Sequence, residues 1–216
     1  AMKPPALHRG RGSRLNPGTR YADWQRAVFD DGWGAPDLAA DPSDDAVPGP
    51  PTTLLIDHAR SVIVRNSSPD VPFEQSVNPY KGCEHGCAYC FARPGHAYLG
   101  LSPGLDFETK IAWKPDAAVV LRRELAAPGY RCRPIALGIN TDGWQPVERR
   151  LGLTRQLLEI LAETRHPVSI VTKSALIERD VDLLADMARD GLAQVMLSIT
   201  TLDPALARKL EPRAAS

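Results

Sequence analysis

Short apolar runs alternate with stretches of helical periodicity through the C-terminal half of the chain. Runs with the character of strands covered on both faces are residues 135–139, 168–172 and 194–199. Segments with apolar side chains at helical spacing follow them, at residues 147–164, 181–189 and 204–210. Strands and helices that alternate at this interval predict right-handed βαβ units, and therefore an α/β fold with a parallel sheet.

The preceding segment has a different pattern. Two β-branched runs, residues 54–56 and 61–64, predict a lead-in hairpin or an edge pair of strands. Residues 77–80 predict a short strand, and residues 115–127 predict a helix that Pro128-Gly129 ends. Counted from Val77, the chain supplies four strands of the predicted parallel sheet. This pattern divides the chain into residues 1–50, 51–76 and 77–216.

Residues 1–50 have little apolar periodicity and predict an irregular arm that lies on the core or is partly disordered. Four aromatic residues within the arm favour some burial: Tyr21, Trp24, Phe29 and Trp33. The first twenty residues contain basic side chains and no acidic ones. A solvated tail and an arm that contacts phosphate groups are both compatible with this charge.

Composition narrows the classes of function only slightly. The chain has 26 basic and 26 acidic residues, so its net charge favours neither nucleic acid nor membrane as a partner. It contains no apolar run of membrane-spanning length and no signal-peptide core. Four cysteines, three of them clustered, are typical of a metal-binding protein in a reducing compartment. We therefore expect a cytoplasmic protein with no membrane partner.

The three clustered thiols have the spacing C-x3-C-x2-C, at Cys83, Cys87 and Cys90. A structural zinc site takes four protein ligands, whereas a [4Fe–4S] cluster held by three thiolates would keep one iron open. The neighbouring glycines allow the backbone to fold tightly around such a cluster. The alternatives are a zinc knuckle that takes His85 or Cys132 as its fourth ligand, or three ordinary buried cysteines.

The segment CEHGCAYC resembles the cluster loop of the radical S-adenosylmethionine (radical SAM) superfamily, in which an aromatic residue, here Tyr89, precedes the last cysteine. The longer segment NPYKGCEHGCAYCFARP resembles the branch related to spore photoproduct lyase, also labelled DNA repair photolyase-like. The resemblance implies a partial, TIM-barrel-like barrel of six βα units. Because the chain supplies four, we expect it to be truncated after the fourth unit, without the C-terminal portion of the barrel.

The resemblance also implies an activity. A reduced donor of the flavodoxin or ferredoxin type would reduce the [4Fe–4S] cluster, and the cluster would cleave S-adenosylmethionine (SAM) to a 5′-deoxyadenosyl radical. That radical would abstract a hydrogen atom from a substrate that the sequence leaves unknown, with nucleic acid as the leading candidate. The same resemblance leaves the catalytic residues beyond the cofactors unassigned.

Polar residues follow the predicted strands where ligands of parallel sheets gather. Asp142 with Thr141 offers an acceptor for the ammonium of SAM, and Lys173 with Ser198 offers donors to its carboxylate. The resemblance implies the same roles and places Tyr89 against the adenine. Helix N-caps and a surface lysine are the alternative interpretations.

Two further residues, Glu211 and Arg213, are weaker candidates for contacts with the ribose or carboxylate of SAM. One position departs from the family pattern. Spore photoproduct lyase has a cysteine at the end of its second strand, and the corresponding residue here is Asn140. Cys132 precedes that strand, roughly 20 Å away at ~3.3 Å per residue, and is better explained as a small apolar residue.

Three functions therefore stay open: a radical SAM enzyme of unknown substrate, a lyase that repairs a thymine photoproduct in DNA, and a non-catalytic iron–sulfur or zinc module that binds a partner. Residues 195–197 are as apolar as an interior strand. We therefore expect them to form an exposed, paired or arm-covered edge in a portion of a longer protein.

Overall fold

Two β-sheets and six α-helices make up the described part of the chain, residues 11–21 and 50–214 of a computed structural model. The strands are β1 Thr53–Ile56, β2 Ile63–Arg65, β3 Gln75–Val77, β4 Tyr80–Lys81, β5 Lys110–Trp113, β6 Ile135–Leu137, β7 Val168–Thr172 and β8 Ala193–Leu197. The α-helices are α1 Asp106–Thr109, α2 Ala117–Leu125, α3 Glu148–Leu151, α4 Leu153–Glu163, α5 Val181–Arg189 and α6 Pro204–Leu210. Two 3-10 helices span Arg93–Leu99 and Ala175–Asp180.

The larger sheet has the strand order β2-β3-β6-β7-β8. Its strands are parallel from β3 to β8, and only β2 runs antiparallel. One row across the sheet joins Val77, Leu137, Ile170 and Val195. The first three are at most 1 % exposed, because α2, α4 and α5 contribute to the same core. The predicted α/β fold with a parallel sheet is confirmed.

The smaller sheet has the order β1-β5-β4, with β1 parallel and β4 antiparallel to β5. The predicted pairing of residues 54–56 with 61–64 is therefore wrong, because these runs lie in different sheets. The predicted strand 77–80 is also wrong in detail. It is divided between β3 and β4 at Asn78-Pro79, where proline has no N–H to continue a ladder. The apolar pattern did not indicate β5.

The predicted helix 147–164 is two helices, α3 and α4, separated at Gly152, whose φ is +59°. The carboxylate of Glu148 accepts hydrogen bonds from the N–H groups of Leu153 and Thr154 at 3.0 and 3.1 Å. A carboxylate at the first turn of α4 satisfies N–H groups that have no partner within the helix. The start of α4 is therefore stabilised at the break. The helix predicted at 115–127 is shorter at both ends, as α2.

Among the described residues, β8 forms one edge of the larger sheet, and its Met196 and Leu197 are 45 % and 62 % exposed. This agrees with the exposed edge expected for residues 195–197. Residues 11–21 contain no helix or strand; Gly12 lies close to Gly86 in the cysteine segment, and Gly12 and Ser13 donate to Glu108. Three of the arm's four aromatic residues, Trp24, Phe29 and Trp33, lie outside the described residues. None of the described helices has the length and apolar character needed to cross a bilayer.

Candidate functional site

The three clustered cysteines lie on one loop that follows β4 directly. All three are free thiols: Cys83 and Cys87 are buried and Cys90 is half-buried. The N–H of Cys83 donates to the carbonyl oxygen of Phe107 at 2.9 Å, which fixes the start of the loop. Cys132, in contrast, is exposed and precedes β6. Cys83, Cys87 and Cys90 therefore share one loop, and Cys132 lies outside it.

Two glycines allow other parts of the chain to pack closely against this loop. Gly86 has φ +68°, and a Cβ atom there would lie 2.8 Å from a carboxylate oxygen of Glu108. A Cβ on Gly12 would lie 1.8 Å from the carbonyl oxygen of Gly86. Glu108, which is fully buried, accepts hydrogen bonds from the N–H groups of Gly12 at 2.8 Å and Ser13 at 2.7 Å. Part of the N-terminal arm is therefore built into the support of the cysteine loop.

Arg93 holds the loop at its second cysteine. Its guanidinium donates to the carbonyl oxygen of Cys87 at 2.9 and 3.1 Å and to that of Gly86 at 3.2 Å. It also pairs with Glu108 at 2.6 Å and lies 5.2 Å from the ring centroid of Phe107. The planar fork of arginine suits several fixed acceptors at once. The sequence pattern did not indicate a role for Arg93, although this residue stands three positions after Cys90.

Asp142 connects the loop to the ends of the central strands. Its carboxylate accepts hydrogen bonds from the Thr172 hydroxyl at 2.8 Å and the Lys173 N–H at 2.8 Å. It also lies 3.4 Å from Nδ1 of His85, and burial lowers the pKa of that histidine. The hydroxyl of Thr141 donates to the carbonyl oxygen of Tyr80 at 2.8 Å. The polar groups of Thr141 and Asp142 are therefore bonded within the chain.

Five polar residues meet where β7 and β8 end, and we call them the strand-end cluster: Tyr89, Lys173, Ser198, Thr200 and Glu211. The ammonium of Lys173 donates to Ser198 at 2.8 Å, contacts Glu211 at 2.7 Å and lies 5.6 Å from the ring centroid of Tyr89. The Glu211 carboxylate also accepts hydrogen bonds from the hydroxyls of Tyr89 and Thr200. The structure therefore brings Tyr89, Lys173 and Ser198 together, and adds Thr200 and Glu211.

The strand-end cluster contains a charged pair. Burial opposes the charge of Glu211, but hydrogen bonds from Lys173, Thr200 and Tyr89 outweigh it and lower the pKa of this carboxyl group. Burial likewise opposes the charge of Lys173, and the hydrogen bond to Glu211 outweighs it, so the pKa of Lys173 is raised. Both groups are therefore charged at neutral pH. The cluster, as it stands, is a site in which three donors hold one carboxylate.

Burial also raises the pKa of the Cys83 thiol and raises that of Cys87 to about 11. Both are therefore protonated at neutral pH until a metal displaces the protons. Within residues 11–21 and 50–214, no three His, Cys, Asp or Glu side chains are close enough to hold a single metal ion. A four-iron cluster is larger than one ion and needs its thiolates further apart.

A cavity of about 690 Å³ adjoins both ends of the cysteine loop, at Gly82 and at Phe91. Phe91 and Tyr98 line it with rings that are 73 % and 76 % exposed, and Asn140 reaches it from the end of β6. Lys114 lines it as well, and burial, only partly offset by Asp57, lowers the pKa of this lysine to about 8. The cavity therefore combines flat apolar surfaces with amide and ammonium groups.

Comparison with curated proteins finds relatives of undefined activity, and no family model matches the chain. An uncharacterized protein of Mycobacterium tuberculosis is 44 % identical over 141 residues, which are 65 % of this chain and 42 % of the relative. An uncharacterized protein of Methanocaldococcus jannaschii is 26 % identical over 136 residues, 63 % of this chain and 48 % of the relative. The chain thus spans less than half the length of these relatives.

Two solved structures share the fold. Spore photoproduct lyase in complex with dinucleoside spore photoproduct matches with a TM-score of 0.52 and 17 % identity, over 76 % of this chain and 44 % of that one. A point mutant of spore photoproduct lyase matches with a TM-score of 0.50 and 18 % identity over the same shares. Sequence identity this low supports a shared fold and no shared activity. The mixed α/β fold with parallel strands is consistent with part of a radical SAM barrel.

Proposed function

We propose that this chain belongs to a radical SAM enzyme, in which Cys83, Cys87 and Cys90 hold a [4Fe–4S] cluster. The observation that carries the proposal is the adjacency of two sites: a loop with three free thiols and a strand-end cluster that holds a carboxylate through Lys173. Tyr89 joins them, because it lies on the cysteine loop and its hydroxyl donates to Glu211 in the strand-end cluster. A bare metal module needs no second site of this kind.

The cysteine loop fits a cluster with three protein ligands. Its thiols are free, Gly86 lets the loop pack closely against the Glu108 carboxylate, and Arg93 holds the carbonyl oxygens of Gly86 and Cys87. Hydrogen bonds of this kind orient metal ligands and tune their electronic properties. When bound, the [4Fe–4S] cluster and SAM together supply an organic radical that removes a hydrogen atom from substrate.

The strand-end cluster fits the amino-acid end of SAM. Lys173, Ser198 and Thr200 would donate to its carboxylate, and the ring of Tyr89 offers a flat surface for the adenine. The carboxylate of Glu211 supports this assignment, because it already occupies a position bonded to Lys173 and Thr200. We give Thr141 and Asp142 the role of holding the strand ends, because their polar groups already have partners within the chain.

A nucleic-acid substrate is supported by the surface beside the larger cavity. The ring centroids of Tyr21 and Tyr98 are 5.2 Å apart, and the Arg20 guanidinium lies 4.9 Å from the Tyr21 centroid. Aromatic rings with an adjacent cation are typical of surfaces that stack unpaired bases. Repair of a DNA photoproduct is the second candidate, and the fold of spore photoproduct lyase favours it. Asn140, where that enzyme has a cysteine, favours a different outcome of the reaction.

The metal content of the reconstituted chain tests the proposal. Anaerobic reconstitution should give about four iron and four sulfide per chain, and Cys83→Ala, Cys87→Ala or Cys90→Ala should each abolish the bound iron. Cys132→Ala is the matched control and should keep it, since that thiol is exposed and away from the loop. Tight zinc in place of iron, or equal loss of iron in the Cys132 variant, would support a partner-binding metal module instead.

A further inference from the structure

Glu211 occupies the place in the strand-end cluster where the carboxylate of a ligand would bind. Its oxygen Oε1 lies 2.7 Å from the ammonium of Lys173 and 2.6 Å from the hydroxyl of Thr200, and the hydroxyl of Tyr89 donates to the same atom. Lys173 divides its three ammonium protons among Ser198, Thr200 and Glu211. An incoming carboxylate would therefore find the donors of Lys173 already used.

The helix that carries Glu211 is held lightly. None of the side chains of α6 is buried, so the helix gains little from apolar contact. Its C-terminal end is tied to the cysteine loop by polar contacts: the N–H of Ala88 donates to Leu210, the N–H of Arg213 donates to His85, and Arg213 pairs with Glu84. A segment attached by a few partly exposed polar contacts opens at low free energy.

A cavity of about 420 Å³ lies behind this attachment. It is lined by Lys173, Ser198 and Thr200 from the strand ends, and by Ala207 and Glu211 from α6 and its end. Movement of α6 away from the cysteine loop would therefore expose the donors of the strand-end cluster and enlarge the space in front of them. A ligand carboxylate bound there would compete with the Glu211 carboxylate for one set of donors.

We propose that Glu211 and α6 form a gate on the cofactor site, in which the Glu211 carboxylate competes with the carboxylate of SAM and is displaced when SAM binds. This inference rests on the proposed function, since it names the regulation of the same site. The gate ties opening of α6 to arrival of a ligand with an α-amino-acid carboxylate. It keeps Lys173 paired and the cysteine loop covered in the absence of that ligand.

The test measures binding of S-adenosylhomocysteine, which has the same carboxylate, to the cluster-loaded chain by anaerobic calorimetry. Glu211→Ala and Glu211→Gln should each bind it about tenfold more tightly than wild type, because the competing charge-assisted contact is gone. Glu178→Ala removes a carboxylate from the same cavity without contacting Lys173, and its affinity should equal that of wild type. Decarboxylated S-adenosylmethionine should bind the Glu211 variants no more tightly than wild type.

Hydrogen exchange supplies a readout that does not depend on affinity. In wild type, saturating S-adenosylhomocysteine should speed amide exchange in residues 204–213, and circular dichroism should show each variant folded. Weaker or unchanged binding by the folded Glu211 variants, or slower exchange in residues 204–213, would overturn the gate. If wild type still bound the ligand, the proposed function would stay intact. Absence of binding to wild type and to every variant would overturn the proposed function and the gate with it.

Discussion

Replacement of Arg93 with methionine is expected to destabilise the protein and release the cysteine loop. The side chain of Glu108 is 0 % exposed and that of Arg93 is 13 % exposed, so the variant leaves a buried carboxylate without its charged partner. Removal of one member of a buried pair typically costs about 3–5 kcal/mol. The N–H groups of Gly12 and Ser13 still donate to Glu108. We therefore expect the free energy of unfolding to fall by about 3 kcal/mol, the lower end of this range.

The double variant Arg93→Met/Glu108→Gln separates the charge from the loop contacts. It should regain part of the lost stability, because no unpaired charge stays buried. It should not regain full iron binding, since the carbonyl oxygens of Gly86 and Cys87 still lack their guanidinium partner. Urea denaturation measures the first effect, and iron content after reconstitution measures the second.

Arg122→Met is the matched control for the same change in charge and shape. Arg122 pairs with Glu163 at 2.7 Å, and both side chains are more than half exposed. Exposed pairs contribute little to stability, so this variant should unfold close to wild type. If Arg93→Met were no more destabilising than Arg122→Met and kept its iron, the proposed support of the cysteine loop by Arg93 would be refuted.

Gly12→Val should lower both stability and iron content, because a Cβ there would lie 1.8 Å from the carbonyl oxygen of Gly86; unchanged iron content would contradict the contact. Asp142→Asn should lower the unfolding temperature, because the carboxylate holds Thr172 and the Lys173 N–H; an effect on SAM affinity alone would instead favour a direct contact with the ligand. In the folded state the pKa of Lys114 is about 8, below its ordinary value of 10.5. Between these two pH values the unfolded chain binds a proton that the folded chain has lost, so the free energy of unfolding should rise with pH. Lys114→Met should flatten this rise in urea denaturation at several pH values, and an unchanged rise would show that another group causes it.

Local pattern was sufficient to predict the parallel sheet and the cysteine loop. The strands β6 and β7 are largely apolar, which is typical of parallel strands covered by helices. The meeting of Lys173 with Ser198 also follows from local pattern, because the C-terminal ends of adjacent parallel strands lie side by side. These features depend on residues close in sequence or on the general geometry of parallel sheets.

Features that depend on distant partners were not predictable in this way. Glu108 is bonded to Gly12, Ser13 and Arg93, and no periodicity connects these positions. The runs that form β1 and β2 are both short and apolar, yet β2 pairs with the next strand, β3, whereas β1 pairs with the distant strand β5. The break at Gly152 is a local feature that the regular apolar pattern around it conceals, and the carboxylate of Glu148 caps the helix that begins after it. Side-chain hydrogen bonds across long sequence separations leave no local signal.

Formation of 5′-deoxyadenosine tests the central proposal most directly. The reconstituted chain is incubated anaerobically with SAM and dithionite, and the product is quantified by chromatography against the Cys87→Ala and Cys132→Ala variants. The proposal predicts 5′-deoxyadenosine and methionine in equal amounts from wild type and Cys132→Ala, and neither from Cys87→Ala. A wild-type chain with a full iron complement that binds SAM and forms no 5′-deoxyadenosine would contradict it.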